Sequence, residues 1–396
     1  MSAAKLPLHF GGQVQNGFEY VEQVFKQNFR DGWEAAGAAF AVYRNGQLII
    51  DLWGGYSNTE NQEAWQQNTM NILFSTTKSV TALLFAKLID RGLASYDDLV
   101  TKYWPEYGQY GKADTTISMV LLHQAGLPFL DREFGAAELN CAENMSKLVE
   151  SQSPVWIPGT KSGYHTLTIG IIIDQLARRI DPDGQSIAQV LREEIKTKYG
   201  VDEIYLGLPR NMNSRVSTLQ LYNNDDLLRE SAENKSVMEH YLLGQNEYHD
   251  KMRANTPWLW ALDYNQPFVR EMEIPAANGI ATARALAKVH SLVAEGSFLS
   301  SKTLAMLYKP QLIDELDVVN GYPECKGHGF QYTKNPQESW IFGHSGLGGQ
   351  NVRIDLDNKL AFAYLCNGLK AGDSDNTGTF SRLKSALYDC LDLDMG

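Results

Sequence analysis

The sequence predicts an α/β (α+β) protein: one antiparallel sheet flanked by N- and C-terminal helices, with a mainly helical domain inserted. Three observations predict it. Strand-like runs cluster near both ends of the chain. The long middle carries apolar residues at helical spacing. Helical patterns also stand close to each terminus. Strands so far apart bury their faces by meeting in one sheet under the terminal helices. The expected division is 1–75 with 276–396 for a discontinuous α/β domain, and 76–275 for the helical one.

The elements follow in order. In residues 16–31, Phe18, Val21, Val24, Phe25 and Phe29 recur at helical spacing. Two β-rich runs then flank Asn45-Gly46, the dipeptide that most favours a tight hairpin. Residues 71–93 switch to a helical period, and TISMVLLHQAGL, LTIGIIIDQLARRI and SIAQVLREEIKTKYG continue it. The stretch 205–275 has the weakest pattern and reads as a loop-rich insertion with small elements. After the helix NGIATARALAKVHSLVAEG, the runs KGHGFQYT, SWIFGHSG and GQNVRIDLDNKLAFAYLCNG read as strands joined by turns. Asp357-Asn358 stands at a hairpin within the last run. FSRLKSALYDCLDL closes the chain as a helix.

Composition narrows the function. A formal net charge of −12 over 396 residues disfavours nucleic acid and anionic lipid as partners. No apolar run is long enough for a membrane span, and MSAAKLPLHFGGQVQ lacks the features of a secretory signal. Cys141, Cys325, Cys366 and Cys390 show neither metal-ligand spacing nor a disulfide framework. A reducing, cytoplasmic setting is the expectation. A homo-oligomer is compatible with the sequence. There is no HExxH, no CxxC and no Walker A loop, so neither a metal nor another cofactor is expected. Gly343-His344-Ser345-Gly346-Leu347 fails the G-x-S-x-G elbow at its last position.

Ser-x-x-Lys occurs three times, at Ser2-Lys5, Ser75-Lys78 and Ser381-Lys384. Only Ser75 follows an apolar run, Ile72-Leu73-Phe74, and opens a helical pattern. A helix start gathers free N–H groups and the positive end of the dipole. One turn then brings Lys78 onto the face of Ser75. Read alone, Ser75 would pass for a helix N-cap. Ser381 sits on a polar helix, where Lys384 reads as a solvated charge.

The segment FSTTKSV resembles the first motif of the serine β-lactamase and penicillin-binding-protein superfamily. The likeness is to its class C β-lactamase-like members, close to family VIII carboxylesterases and eukaryotic β-lactamase-like proteins. The resemblance covers about residues 20–390 and implies further motifs in a fixed order. The second is a Tyr, often in Tyr-x-Asn. Tyr43, Tyr56 and Tyr222 match it literally but stand in the wrong places. Tyr164, in WIPGTKSGYHTLTIG, has the family's setting, with Thr166 where Asn is usual. The third motif is Lys-Thr-Gly or His-Ser/Thr-Gly on a strand. Lys161-Ser162-Gly163 matches but lies in a turn, so the candidate is His344-Ser345-Gly346, followed by Leu347. LLHQAGLP adds a further likeness, in which His123 is structural.

The resemblance implies an acyl-enzyme formed on Ser75, with Lys78 and Tyr164 as a coupled proton-transfer pair. The N–H groups of Ser75 and Leu347 would form an oxyanion hole. A Lys78 cation about 4 Å from the phenol would contribute roughly 4 kcal/mol, or about three pKa units, toward ionising Tyr164. His344 in place of Lys grips a substrate carboxylate weakly, which favours a small ester or amide. The alternatives are a β-lactamase or D-Ala/D-amino peptidase, and a non-catalytic scaffold or assembly protein on the same fold. Trp258, Trp260 and Phe268 are candidates for an acyl pocket.

Overall fold

The computed structural model describes residues 6–394, and the Ser2-Lys5 motif lies outside the described residues. Its strands, in chain order, are β1 (Phe10–Val14), β2 (Gly37–Arg44), β3 (Gln47–Asn58), β4 (Glu63–Ala64), β5 (Asn71–Ile72), β6 (Ile204–Tyr205) and β7 (Ile280–Ala281). Then come β8 (Leu312–Leu316), β9 (Pro323–Gly327), β10 (Phe330–Lys334), β11 (Trp340–Gly346), β12 (Gln350–Asp355) and β13 (Leu360–Cys366). The main sheet runs β1-β3-β2-β13-β12-β11-β10-β9-β8, with β4 attached to β3. All of these pairings are antiparallel. The two ends of the chain join where β2 meets β13, from Ala38 opposite Cys366 to Arg44 opposite Leu360.

Side chains alternate across the sheet, and both faces are buried. Ala38, Phe40 and Val42 of β2 pack with Phe362 and Tyr364 under the two terminal helices. Those helices are Glu19–Arg30, which contributes Phe25 and Phe29, and Gly378–Asp394, which contributes Phe380, Leu383 and Leu387. Ala39, Ala41 and Tyr43 face the other way. There they meet helix Ala283–Ala294 and the large core shared with helices Thr77–Asp90 and Thr168–Ile180. The terminal helices thus cover one face only.

Several expectations are refined. Asn45 and Gly46 both take positive φ, 50° and 74°, as the tight hairpin between β2 and β3 requires. The hairpin between β12 and β13 also forms, but its left-handed residue is Lys359. KGHGFQYT is not one strand. It breaks at His328-Gly329, both at positive φ, into the hairpin β9–β10. In the insertion, Asn224–Glu233, Lys235–Leu243 and Glu247–Asn255 are helices, each opened by an Asn whose side chain accepts backbone N–H bonds. The helix expected over 71–93 covers only Thr77–Asp90. Residues Asn71–Ile72 instead pair with β7, which also pairs with β6. This small sheet ties the chain just before Ser75 to the chain entering helix Ala283–Ala294.

Candidate active site

Ser75 does not begin the helix. It lies in the 3-10 turn Phe74–Thr76, and the α-helix starts at Thr77 without a side-chain capping bond. The capping alternative for Ser75 therefore fails. Phe74, just before it, is buried and takes φ 45°. A left-handed conformation costs a bulky residue roughly 1–2 kcal/mol, so surrounding contacts must hold it. The Leu73 N–H donates to Gly279 O at 2.8 Å, and the Phe74 ring packs edge-on to Tyr264 at 5.0 Å. The turn presents Ser75 to a cleft of about 330 Å³.

Lys78 follows one turn later and is 2% exposed. Its Nζ donates to Ser75 Oγ at 3.0 Å and to Ala276 O at 2.9 Å. Burial holds its pKa well below the usual lysine value, and no carboxylate among the described residues forms an ion pair with it. Tyr164 is half-buried at the cleft wall, with Lys78 Nζ 4.9 Å from its ring centre. Burial raises its phenol pKa, against a hydrogen bond with Ser75 that lowers it. The expectation of a Lys78 cation drawing the phenol toward ionisation is thus overturned. An amine buried without a counter-ion holds its proton less tightly than an ordinary lysine.

β11 supplies the opposite wall. His344 is 2% exposed, and its ring lies 6.1 Å from that of Tyr164. Its Nδ1–H donates to Ser345 O at 2.6 Å, which leaves Nε2 as the acceptor. Burial first, then the neighbouring Lys78, pushes its pKa well down, so the imidazole is neutral at pH 7. Ser345 is fixed by Gln331, whose Oε1 accepts from its Oγ at 2.9 Å and its N–H at 3.0 Å. At Gly346, a Cβ would stand 2.3 Å from Leu73 O and 2.9 Å from Thr76 Oγ1. The missing side chain lets the strand close on the turn that carries Ser75. Leu347 and Thr166 also line the cleft.

The structure brings Ser75, Lys78, Tyr164, Thr166, His344, Ser345, Gly346 and Leu347 to one place. Of the acyl-pocket candidates only Trp260 lines the cleft, beside Met252, Leu259 and Tyr264. Trp258 donates from Nε1 to Phe134 O at 2.7 Å, and Phe268 is half exposed outside the cleft. The rejected matches serve packing. Ser162 Oγ donates to Leu122 O at 3.0 Å, and Tyr56 OH to Pro7 O at 2.8 Å. Lys384, expected to be solvated, pairs with Asp375 at 2.5 Å. His123 supports the Tyr164 segment, its Nδ1 accepting the His165 N–H at 2.9 Å. A buried group consisting of Asp317, Glu324 and Lys326 was not found by sequence reasoning. No spacing signal joins these residues to Tyr164.

A two-sided sheet with a helical lobe, and a serine against a buried lysine at their junction, define a serine hydrolase. The chain belongs to the Beta-lactamase family, whose model matches residues 25–386. The Esterase/beta-lactamase LipL of Mycobacterium tuberculosis is 30% identical over 371 residues, covering 90% of this chain and 83% of LipL. The fold is also that of a crystallised family VIII carboxylesterase, at TM-score 0.81 and 29% identity, over 96% of this chain and all of that one. A penicillin-binding-protein homologue from Caulobacter crescentus superposes equally, at TM-score 0.81 and 30% identity, over 96% of this chain and all of that one.

Proposed function

We propose that this serine hydrolase is an esterase acting on small, largely apolar acyl esters through an acyl-enzyme on Ser75. The observation that carries the reading is the 3.0 Å bond from the buried, counter-ion-free Lys78 to Ser75 Oγ. A neutral amine there can accept the hydroxyl proton while Oγ attacks the carbonyl carbon. Tyr164, kept protonated by burial, donates to the leaving alkoxide and recovers its proton from Lys78. Water then takes the alcohol's place and hydrolyses the acyl-enzyme along the same proton path. The N–H groups of Ser75 and Leu347 are the proposed oxyanion donors. In a comparable site one such donor contributes on the order of 3 kcal/mol.

The ester preference rests on charge. His344 is neutral, burial disfavours the charged form of Lys78, and Arg253, the arginine on the cleft wall, is paired with Asp250 at 2.9 Å. A substrate carboxylate finds little fixed positive charge, so β-lactams and D-Ala peptides are the second reading. The name of the family VIII carboxylesterase agrees with the first, and that of Esterase/beta-lactamase LipL with both. A cytoplasmic location is also proposed, supported by four free thiols. No helix among the described residues is long and apolar enough to cross a membrane.

The test is intact-mass detection of a Ser75 adduct across p-nitrophenyl esters, anilides and a chromogenic cephalosporin, beside a fluorophosphonate probe. Esters are expected to acylate fastest, and Ser75→Ala to abolish labelling. A cephalosporin turned over as fast as the best ester overturns the ester reading. Undiminished labelling of Ser75→Ala overturns the site.

A further inference from the structure

The backbone around Tyr164 belongs to neither a helix nor a strand, yet it is fixed at three consecutive N–H groups. Gly163 N–H donates to His123 O at 2.9 Å, and His165 N–H to His123 Nδ1 at 2.9 Å. Between them, the Tyr164 N–H donates to Asp317 Oδ1 at 3.0 Å, across 153 residues of chain. Asp317 is fully buried. The same Oδ1 accepts the N–H groups of Val319 at 2.9 Å and Asn320 at 2.8 Å, while Oδ2 is bound by Lys326 Nζ. Lys326 is itself 3% exposed and also contacts Glu324 at 2.8 Å and Ser162 Oγ at 3.2 Å. Ser162 O in turn accepts the Val318 N–H at 2.9 Å.

Two segments are thereby clamped across the cleft: residues 162–164 on the helical side, and 317–326 at the far edge of the main sheet. Burying charged groups is costly, and an apolar packing of equal volume would hold two loops together at least as well. What the carboxylate adds is direction. It fixes the direction of a backbone N–H, and thereby the origin of the Tyr164 side chain. Its negative charge, with that of Glu324, also adds to the raised phenol pKa and so keeps a proton on Tyr164.

We propose that Asp317, oriented by Lys326, is a positioning residue that sets Tyr164 against Ser75 and Lys78. The inference rests on the reading of Tyr164 as a proton-transfer residue. Asn at position 317 would turn an amide donor toward the Lys326 ammonium, so the clamp opens without a change in volume. Misplacement by about 1 Å costs on the order of a hundredfold in rate.

The experiment is a double-mutant cycle on the full-length protein: wild type, Asp317→Asn, Tyr164→Phe and both, with single-turnover acylation by p-nitrophenyl acetate. Asp317→Asn is expected to lower the acylation rate constant by about a hundredfold, with KM moving less than about threefold. In the Tyr164→Phe background the same substitution should cost less than about threefold, because its target is gone. Equal losses in both backgrounds would overturn the inference and leave Asp317 a structural residue. A Tyr164→Phe protein at the wild-type rate would instead overturn the role of Tyr164. If Asp317→Asn does not fold, Lys326→Gln is read in the same cycle. Failure of both to fold assigns the clamp to folding alone and overturns the inference.

Discussion

At the scale of single residues, Lys78 decides the chemistry by what is missing around it. Its environment removes water and, among the described residues, offers no carboxylate, so its pKa is held well below the usual lysine value. A base of lowered pKa is active above that pKa and is lost as pH falls through it. The acylation rate is therefore expected to fall with a single protonation, at a pH well below the ordinary lysine pKa. A kcat/KM profile with esters checks this. Lys78→Arg keeps bulk but carries a charge that does not leave, and should lower acylation by about a thousandfold. Ser75 was legible because Ser-x-x-Lys follows an apolar run and precedes a helix. The charge state of Lys78 was not, since it depends on Ala276 and on walls contributed by distant segments. Asp317 was invisible for the same reason: an Asp between β8 and β9 gives no sign that its partner is the Tyr164 N–H.

At the scale of elements, the approach of β11 to the turn Phe74–Thr76 leaves no room for a side chain at Gly346. Gly346→Ala would push a methyl group against Leu73 O and Thr76 Oγ1. The expected result is a stability loss of about 1–3 kcal/mol in urea unfolding, with loss of acylation at temperatures where the protein is still folded. A second joint ties β12 to the C-terminal helix. Arg353 reaches Asp375 at 3.1 Å and Lys384 reaches it at 2.5 Å. Burial alone would raise the Asp375 carboxyl, but the two cations outweigh it and hold its pKa at about 2. This depressed value stabilises the fold fully above the unfolded pKa near 4 and is lost as pH falls through about 2. The contribution is about 2 kcal/mol, and Asp375→Asn should remove that part of the acid dependence. Element identity was legible where periodicity ran long, as in Thr168–Ile180. It failed at KGHGFQYT, because a His in the left-handed region carries no turn signal of its own. It failed also at Asn71–Ile72, where pairing with β7 overrides a local helical period.

At the scale of the molecule, the two chain ends are joined by more than the β2–β13 ladder. Glu34 Oε2 meets Lys370 Nζ at 2.8 Å with both side chains buried, and Glu34 also accepts from the Tyr364 hydroxyl. Lys370→Met would leave that carboxylate unpaired and should cost about 3–5 kcal/mol, read as a lowered urea midpoint. Strands at both ends were legible as a common sheet because neither half could bury its faces alone. Which strand sits centrally was not, since register is set only when both halves are present.

That central seam has a consequence during synthesis. β13, the partner of β2, begins at Leu360, more than three hundred residues after β2 ends at Arg44. Until β13 has been made, the hairpin β2–β3 therefore waits with an unpaired edge and two apolar faces, the state most open to association with a neighbouring chain. Ser75 and Lys78 are made well before His344 and Leu347, which follow Lys78 by more than 260 residues. Completion of the sheet and assembly of the cleft are thus coupled, and a chain interrupted before β11 carries the nucleophile without the opposite wall.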